Sequence, residues 1–393
     1  MKILICNVGS TSLKYKLYDL PAETVLASGG AERVGRTQSS FYAKNILTQQ
    51  SVRENVYFPS HREAIMRMLR ELVGTALSSL DELACVGFKV VHARGVSGVQ
   101  YLTEDVLSKM AAFNSVAPAH NPPYLSAIRQ FRDLLPNTPL IGAFETAFHQ
   151  TMPPEAYLYS IPAELAEQYD IRRYGFHGNS HEYLSDWAAR AMGRRDLKLV
   201  TCHLGGSGSL CAVKHGQSID TSMGISLQCG ILNNNRCGDI DPYIIFYLAE
   251  EADIPLPEIK HLLQTQSGLL GMSGVSGDLR DIEAAAENGN LRAKTTISTY
   301  AYGIKKYIGA YAAAMGGLDA IVFGGGIGTN SPTVRALSLS GLEFLGVKLD
   351  SEKNRRATPG KDISKAASPV RIFVVETDEE IMVARKAAAL LNA

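Results

Sequence analysis

The sequence predicts an α/β protein built from two related domains, and three observations lead to this prediction. The chain has 393 residues, of which 46% are hydrophobic, so it can bury a core larger than one domain usually holds. Segments with strand periodicity and helix periodicity alternate along it. In addition, one strand–turn–strand pattern occurs twice, beginning at Ile3 and again at Leu199.

The predicted elements follow from the spacing of apolar residues. In the first part, strands are expected at 2–6, 12–19, 84–92 and 139–143, and helices at 61–79, 103–114 and 124–134. In the second part, strands are expected at 197–203, 209–214, 217–220, 319–323 and 371–375, and helices at 180–192, within 242–315, from about 331, and at 377–391. No low-complexity linker separates the two parts. We expect one domain of residues 1–144 with 381–393, and another of residues 145–380.

Composition excludes several classes of function. Lys and Arg together number 39, as do Asp and Glu, so no basic field exists to bind nucleic acid or an anionic membrane. The six cysteines are scattered without metal-ligand spacing, which is typical of reduced core thiols in a cytoplasmic protein. No apolar run is long enough for a membrane span, and the first apolar segment is too short for a signal peptide. We therefore expect a soluble cytoplasmic protein.

The two copies of the repeat have unusual turns. In the second copy, LVTCHLGGSGSLCAVKH, Gly205, Gly206 and Gly208 surround Ser207, although a hairpin usually needs one glycine. Consecutive backbone N–H groups beside small hydroxyls form a concave anion site without net charge. The first copy, ILICNVGSTSLKYKLYD, offers hydroxyls and a lysine in the same position. Both turns are therefore predicted to bind phosphate.

A third glycine segment, GGGIGTNSP at residues 324–332, follows an apolar strand and precedes a helix that Asn330 or Ser331 would cap. Glycines there let a ligand approach the backbone closely. The sequence contains neither a P-loop, a G-x-G-x-x-G fingerprint nor the H-R-D and D-F-G signatures of protein kinases. These observations favour two duplicated actin-like (ribonuclease H-like) domains with a nucleotide cleft between them.

At this point the chain resembles the acetate kinases and their propionate and butyrate kinase relatives. The resemblance rests on ordered motifs along nearly the whole chain: NVGSTSLK (7–14), AHNPPYL (119–125), TAFHQTMP (146–153), RRYGFHGNSH (172–181), DTSMG (220–224), RCGDIDP (236–242), SGLLGMSGVSGDLRDI (267–282), GGIGTNSPTVR (325–335), LEFLGVKLD (342–350) and TDEEIMVAR (377–385). It implies reversible, direct in-line transfer of a phosphoryl group from ATP to a short-chain carboxylate, giving an acyl phosphate and ADP. It further implies Mg²⁺ and a homodimer formed through the C-terminal domain.

The resemblance also implies roles for individual residues. The catalytic residues would be Arg236 and His177, which stabilise the transition state, and Glu145. Asn7 and Glu379 would lie near the metal. The substrate-binding positions are Lys89, Arg94, Val91, Ala119, Phe176 and Leu227, and the nucleotide and phosphate positions are Ser10, Ser12, Lys14, His203, Leu204, Gly205, Gly206, Ser207, Asp278, Leu279, Arg280, Gly326, Ile327, Gly328, Thr329 and Asn330.

This chemistry agrees with the residues present. A carboxylate is already ionised at pH 7, so the acceptor needs alignment and positive charge around the moving phosphoryl group rather than a strong base. Arg236 lies among small polar residues, where Asp239 or Asp241 could hold its guanidinium. Asp278 could cap the helix that follows it as well as contact nucleotide.

The chain departs from the family pattern at several of these positions. Lys89 stands where arginine is typical, and Arg94 falls in a position usually held by glycine. Glu145 replaces an aspartate, and Gly206 replaces an asparagine. Lysine lacks the bidentate fork of arginine, so acid binding could differ.

Three alternatives stay open. The first is an acetate or propionate kinase, the smaller Ala119 leaving room for a longer acyl chain. The second is the same chemistry on a dianionic or hydroxylated acid recruited by Arg94. The third is a weakly active or inactive nucleotide-binding relative. Pyrophosphate as donor is disfavoured because the glycine segment expected at the adenosine is intact.

Overall fold

The computed structural model describes all 393 residues and contains two compact units. One unit comprises Met1–Ala147 together with Asp378–Ala393, and the other comprises Phe148–Thr377. The predicted domain boundaries, after residues 144 and 380, lie close to these limits. As bounds of independently folding domains they stay a prediction.

The strands are β1 Lys2–Gly9, β2 Ser12–Asp19, β3 Thr24–Glu32, β4 Ser40–Asn45, β5 Ser51–Asn55, β6 Leu83–Val90, β7 Val99–Tyr101, β8 Leu140–Phe144, β9 Lys198–Leu204, β10 Gly208–Lys214, β11 Gln217–Thr221, β12 Ala320–Gly324, β13 Lys361–Asp362 and β14 Arg371–Val374. The helices are α1 His61–Thr75, α2 Glu104–Ala112, α3 Asn121–Leu134, α4 Pro154–Tyr157, α5 Ala163–Tyr169, α6 Gly178–Met192, α7 Tyr243–Glu251, α8 Leu256–Thr265, α9 Gly268–Ser273, α10 Leu279–Glu287, α11 Leu291–Met315, α12 Gly325–Asn330, α13 Pro332–Leu339, α14 Ser351–Arg355 and α15 Glu379–Leu391. None of the helices is long and apolar enough to cross a membrane.

Each unit contains one mixed sheet. The six strands of the second sheet follow the same order as six neighbouring strands of the first, which has two more at one edge. The first runs β5-β4-β3-β2-β1-β6-β8-β7, and the second runs β11-β10-β9-β12-β14-β13. In each, the first strand of the repeated hairpin pairs antiparallel with its neighbour and parallel with a later strand, β1 with β6 and β9 with β12. The repeat predicted from sequence therefore marks equivalent positions in two equivalent sheets.

Helices cover both faces of the second sheet, which explains where its polar side chains go. Along β9, Val200, Cys202 and Leu204 belong to the apolar cluster that includes α10 and α11, whereas Leu199 packs with Leu184 of α6. Side chains alternate along a strand, so Thr201 and His203 share the α6 face with Leu199. That face receives the polar residues described below.

Several helices begin where the sequence places a capping side chain. Ser60 forms a capping box with Glu63 at α1, and Asp378 accepts a hydrogen bond from the backbone N–H of Ile381 at α15. Ser331 caps α13, as predicted. No helix was predicted in the glycine segment before it, but residues 325–330 form the short helix α12.

Candidate active site

The first predicted phosphate turn joins β1 to β2. Gly9 pairs with Ser12 across the hairpin, and a Cβ at Gly9 would lie 2.6 Å from Ser12 Oγ. Ser12 is half-buried, whereas Ser10 and Lys14 are exposed. The turn is held from α1 by His61, whose Nε2 donates to the carbonyl oxygens of Gly9 at 3.0 Å and Ser12 at 3.3 Å. A role for His61 was not predicted from the sequence, although its position directly after the α1 cap, Ser60, could have indicated one.

A buried cluster of three charged side chains lies in the same unit. Lys89 Nζ on β6 lies 3.0 Å from Glu145 Oε1 and 2.8 Å from Glu379 Oε2. Glu145 follows β8, the parallel neighbour of β6, and Glu379 is the first residue of α15. Burial opposes the charged ammonium, but the two carboxylates outweigh it and hold the pKa of Lys89 well above its ordinary value. Two positions that depart from the family pattern, 89 and 145, are therefore in direct contact.

Asn7 lies beside this cluster. Its Oδ1 accepts a hydrogen bond from the hydroxyl of the buried Tyr124 at 2.9 Å, and Lys89 and Glu145 both influence the pKa of Tyr124, which burial raises. Lys89 neutralises one of the two carboxylate charges, so the three charged side chains together keep one negative charge.

These oxygen donors suit Mg²⁺. Mg²⁺ prefers one or two carboxylates together with water and substrate phosphates over an all-protein cage. Glu145, Glu379 and the Asn7 amide oxygen match that donor set. No cluster of three or more histidine, cysteine or acidic side chains able to hold a metal occurs in the structure.

The other predicted acid-binding residues of this unit differ in burial. Val91 is buried and directly follows β6, while Arg94 is half-buried in the loop after it. Ala119 is exposed in the turn before α3.

The second phosphate turn, residues 205–207, joins β9 to β10 and is built from backbone hydrogen bonds. The N–H of Gly205 donates to the carbonyl of Ser207 at 3.1 Å, and the carbonyl of Gly206 accepts from the N–H of Asn234 at 3.0 Å. The side-chain oxygen of Asn233 accepts from the N–H of Gly208 at 2.8 Å. A Cβ at Gly206 would lie 2.9 Å from the side-chain amide of Asn234. The loop 233–236 therefore supports the turn and occupies the space that a side chain at 206 would need.

A cavity of about 590 Å³ adjoins this turn. It is lined by Gly205, Gly206, Asn234, Asp278, Leu279, Arg280, Glu283, Gly326, Ile327, Asn330 and Ser331. Three segments predicted separately to contact nucleotide thus line one cavity. Three residues of its lining, Asn234, Glu283 and Ser331, were not predicted as ligands, and Ser331 Oγ donates to Glu283 Oε1 at 2.6 Å.

Asp278 caps α10 as expected. Its side chain accepts from the backbone N–H of Arg280 at 3.0 Å and also pairs with the Arg280 guanidinium. Hydrogen bonding to Arg280 lowers the pKa of Asp278 to about 2. Arg280 is exposed and Asp278 is half-buried at the edge of the cavity, where both can meet a ligand.

The predicted nucleotide residues 328 and 329 do not line the cavity. Gly328 is buried, and its carbonyl accepts from Arg335 Nη1 at 2.8 Å, as does that of Thr329 at 2.9 Å. Arg335 also donates to Asn354, and burial among these neutral acceptors lowers the pKa of Arg335 to about 10. A buried arginine therefore anchors α12, and the sequence analysis missed this role.

Arg236 contacts the phosphate turn directly, because its Nη2 donates to Ser207 Oγ. The expectation that Asp239 or Asp241 holds it is wrong: Asp239 accepts from the backbone N–H of Gly230, and Asp241 from that of Tyr243. Arg236 Nε is buried without a hydrogen-bond partner, and desolvation lowers the pKa of the guanidinium. The structure thus keeps a cation at the turn without a carboxylate beside it, as an anion-binding group requires.

His177 lies beside the two strands that flank the same turn. It precedes α6 with a left-handed φ of 59°, which is strained for a residue other than glycine. Its ring stacks on that of His203 with 4.3 Å between centroids, and its Nδ1 lies 2.8 Å from Ser209 Oγ. Phe176 and Leu227 are buried. Arg236 and His177 therefore both contact residues of the β9–β10 hairpin.

A sequence model of the Acetokinase family matches residues 2–385. The chain belongs to the acetokinase family. It is 45% identical over 391 residues to an acetate kinase of Clostridium botulinum, with 98% of both chains covered, and 44% identical to an acetate kinase of Shouchella clausii over the full length of both. Among solved structures, the acetate kinase of Porphyromonas gingivalis shares 39% identity with a TM-score of 0.89 and 99% coverage of both chains. A propionate kinase of Francisella tularensis shares 33% identity, with a TM-score of 0.90 and 98% coverage.

Membership of the acetokinase family confirms three predictions from the sequence. The protein is a kinase, its chemistry is the phosphorylation of a carboxylate by ATP, and its fold is the duplicated actin-like α/β architecture. The roles of individual residues stay proposals.

Proposed function

We propose that this acetokinase family member phosphorylates acetate, and propionate as its next best acid, with Mg-ATP as donor. The observation that carries the donor assignment is the cavity in which the phosphate turn meets the segments at 278–280 and 326–330. Its volume of about 590 Å³ lies within the range of ligand sites. The acids follow from the curated relatives and from the propionate kinase among the solved structures.

In the proposed mechanism the ionised acid attacks the γ-phosphoryl group directly. The backbone N–H groups of Gly206 and Ser207 bind the phosphates, and Arg236 and His177 donate hydrogen bonds to the equatorial oxygens of the phosphoryl group in transfer. The unpaired Arg236 Nε supports this role, because an incoming anion supplies the acceptor that it lacks. In the first unit, we propose that Ser10, Ser12 and Lys14 of the β1–β2 turn bind phosphate.

We assign the metal to Asn7 and Glu379, with Glu145 as the third oxygen donor. When bound, Mg²⁺ neutralises charge on the phosphate oxygens. Lys89 holds the two carboxylates in place, at 3.0 Å and 2.8 Å. In the first unit, acid binding falls to Lys89 and Arg94, with Val91 and Ala119 beside the acyl chain.

A hydroxamate assay with Mg-ATP and a panel of acids tests this function. The panel contains acetate, propionate, butyrate, a hydroxy acid and a dicarboxylate, and pyrophosphate replaces ATP in a parallel series. We expect the highest kcat/KM with acetate, then propionate, and none with pyrophosphate. Turnover confined to the hydroxy acid or the dicarboxylate would transfer the assignment to a different acid. Nucleotide binding without turnover on any acid would refute an active enzyme.

We further propose a homodimer formed through α7. This helix has no buried residue, and Tyr243, Phe246 and Tyr247 are 74%, 52% and 66% exposed. An exposed face with three aromatic side chains is typical of an interface between subunits. Light scattering should give twice the mass of 42.5 kDa for the wild type and the single mass for Phe246→Glu. A monomeric wild type would exclude the dimer.

The predicted cytoplasmic location is also part of the proposal. All six cysteines are free, and four of them, Cys6, Cys85, Cys202 and Cys211, are buried. Free thiols suit a reducing compartment.

A further inference from the structure

A chain of buried hydroxyl and imidazole groups leads from strand β9 to His177. Ser209 Oγ lies 2.8 Å from His177 Nδ1 and 2.8 Å from His181 Nε2. On the far side, His181 Nδ1 lies 2.8 Å from Thr201 Oγ1. Thr201, Ser209 and His181 have no exposed surface, and His177 is 6% exposed. Water therefore has no access to replace a member of the chain.

The fold brings these groups together through strand alternation. Thr201 on β9 and Ser209 on β10 point to the α6 face of the second sheet, since their neighbours Leu199 and Cys211 pack there. His181 lies one turn into α6 and points at both strands. The arrangement is thus part of the core that joins α6 to the sheet, and His177 is attached to it at the start of that helix.

The number of available protons limits the directions in which the hydrogen bonds between these groups can run. A serine hydroxyl carries one proton, so Ser209 donates to one of its two imidazole partners and accepts from the other. Burial, followed by the neighbouring histidines, lowers the pKa of His181 well below its ordinary value, so this ring is neutral and one of its nitrogens carries a proton. The tautomers of His181 and His177 are therefore coupled through Ser209.

Thr201 determines in which of the two directions the hydrogen bonds between these groups run. Its hydroxyl has one other acceptor, the carbonyl of Cys211, at the long distance of 3.5 Å, whereas His181 Nδ1 lies at 2.8 Å. Thr201 therefore donates to His181 Nδ1, His181 Nε2–H donates to Ser209 Oγ, and the Ser209 hydroxyl donates to His177 Nδ1. A neutral His177 then carries its proton on Nε2.

We propose that Thr201, His181 and Ser209 are positioning residues that hold the proton of His177 on Nε2, making the neutral imidazole a hydrogen-bond donor to the phosphoryl group. The role of His177 rests on the proposed function, whereas its tautomer does not. Without Ser209, Nδ1 would compete for the proton, and the donor would be present for part of the time.

Nuclear magnetic resonance of the full-length chain, labelled with ¹⁵N-histidine and free of ligand, tests the tautomer. His177→Gln assigns the ring signals. We expect the wild type to show a protonated Nε2 and a bare Nδ1 at His177. Ser209→Ala and the isosteric Thr201→Val should each shift His177 toward a mixture of tautomers. The matched control Ser218→Ala removes a buried hydroxyl from His149 Nδ1, at 2.8 Å, and should leave His177 unchanged.

A protonated Nδ1 in the wild type would overturn the inference, whether or not the variants fold. So would a His177 signal that neither Ser209→Ala nor Thr201→Val alters. Kinetics supply the second readout: Ser209→Ala should lower kcat about tenfold, the worth of one hydrogen bond, with KM for the acid and for ATP within about threefold of wild type. Ser218→Ala should retain kcat.

The two proposals fail in different ways. Suppose the protein has no turnover on any acid, but His177 shows the expected tautomer in the wild type and the expected shift in the variants. The proposed function would then be refuted, and the roles of the three positioning residues would stand. If the wild type is fully active and Ser209→Ala has the same kcat, the proposed effect of the positioning residues on catalysis is refuted.

Discussion

Replacement of Lys89 by methionine is expected to destabilise the first unit strongly. The substitution keeps most of the side-chain volume but leaves Glu145 and Glu379, which are 5% and 14% exposed, without the ammonium between them. At 3.0 Å, one such ion pair corresponds to about 5.5 kcal/mol at an effective dielectric constant of about 20. Removing one partner of a buried pair typically costs about 3–5 kcal/mol. We expect the free energy of unfolding to fall by an amount in that range.

A double-mutant cycle separates the ion pair from general damage. Glu145→Gln removes one of the two carboxylates, so in the Lys89→Met background it should recover part of the lost stability. We expect a coupling energy of about 2 kcal/mol or more between positions 89 and 145. Lys89→Arg is the matched control, because it keeps the charge and should cost less than Lys89→Met.

Hydrogen exchange measured in rising urea concentrations is the suitable assay. Peptides covering β6 and β8 report the first unit, and fluorescence of Trp187, the single tryptophan, reports the second as an internal control. The pKa of Lys89 is raised above its ordinary 10.5. The contribution of the Lys89 charge to the free energy of unfolding is therefore complete below pH 10.5 and is lost as pH rises through the folded-state pKa. Effects of the two substitutions that add within about 0.5 kcal/mol would refute the reasoning.

Three further predictions concern the second unit. Arg236→Ala should lower kcat about 10³-fold while the ADP dissociation constant changes less than about threefold. A large loss of ADP affinity in calorimetry would show instead that Arg236 binds the nucleotide in the ground state. Gly206→Asn should weaken ADP binding about tenfold, because its Cβ would lie 2.9 Å from the Asn234 amide, and Asn234→Ala in the same chain should restore binding. Asp278→Ala should cost about 1 kcal/mol at pH 7 as a lost helix cap. Because the folded-state pKa of Asp278 is about 2, below its ordinary 3.8, that contribution should persist above pH 3.8 and vanish as pH falls toward 2 in thermal melts.

Strands β3 and β5 show why part of the fold was not predicted. β3 contains Gly29 and Gly30, which suggest a turn when read locally. In the sheet they make room for aromatic side chains: a Cβ at Gly29 would lie 2.7 Å from Tyr15 Oη, and one at Gly30 would lie 3.0 Å from Tyr42 Oη. β5 is an edge strand, SVREN, whose mostly exposed residues lack an apolar alternation. In both strands the pairing partner, and not the local pattern, decides the structure.

The glycines of α12 led to a similar difference. GGGIG is a poor helix sequence, and no helix was predicted before about residue 331. The helix forms because Arg335, buried among neutral acceptors, holds the carbonyls of Gly328 and Thr329 from outside. That contact depends on the position of α13 against α12 and cannot be derived from the propensity of the segment.

The sequence alone determined the α/β class, the duplicated hairpin, the capping residue of α10, two candidates for that of α13, and the family with its carboxylate kinase chemistry. These features depend on apolar periodicity, on the steric needs of tight turns and on ordered motifs, all of which are short-range properties of the chain. It also marked Lys89 and Glu145 as departures, but left open what they mean.

Tertiary structure decided which of those residues meet. Lys89 and Glu379 are 290 residues apart in the chain, and their contact requires both the β6–β8 register and the packing of α15 on the first sheet. The link from Thr201 through Ser209 to His177 likewise exists because alternate residues of two paired strands face one helix. Strand register and helix placement are set by the whole core, so no local pattern contains them.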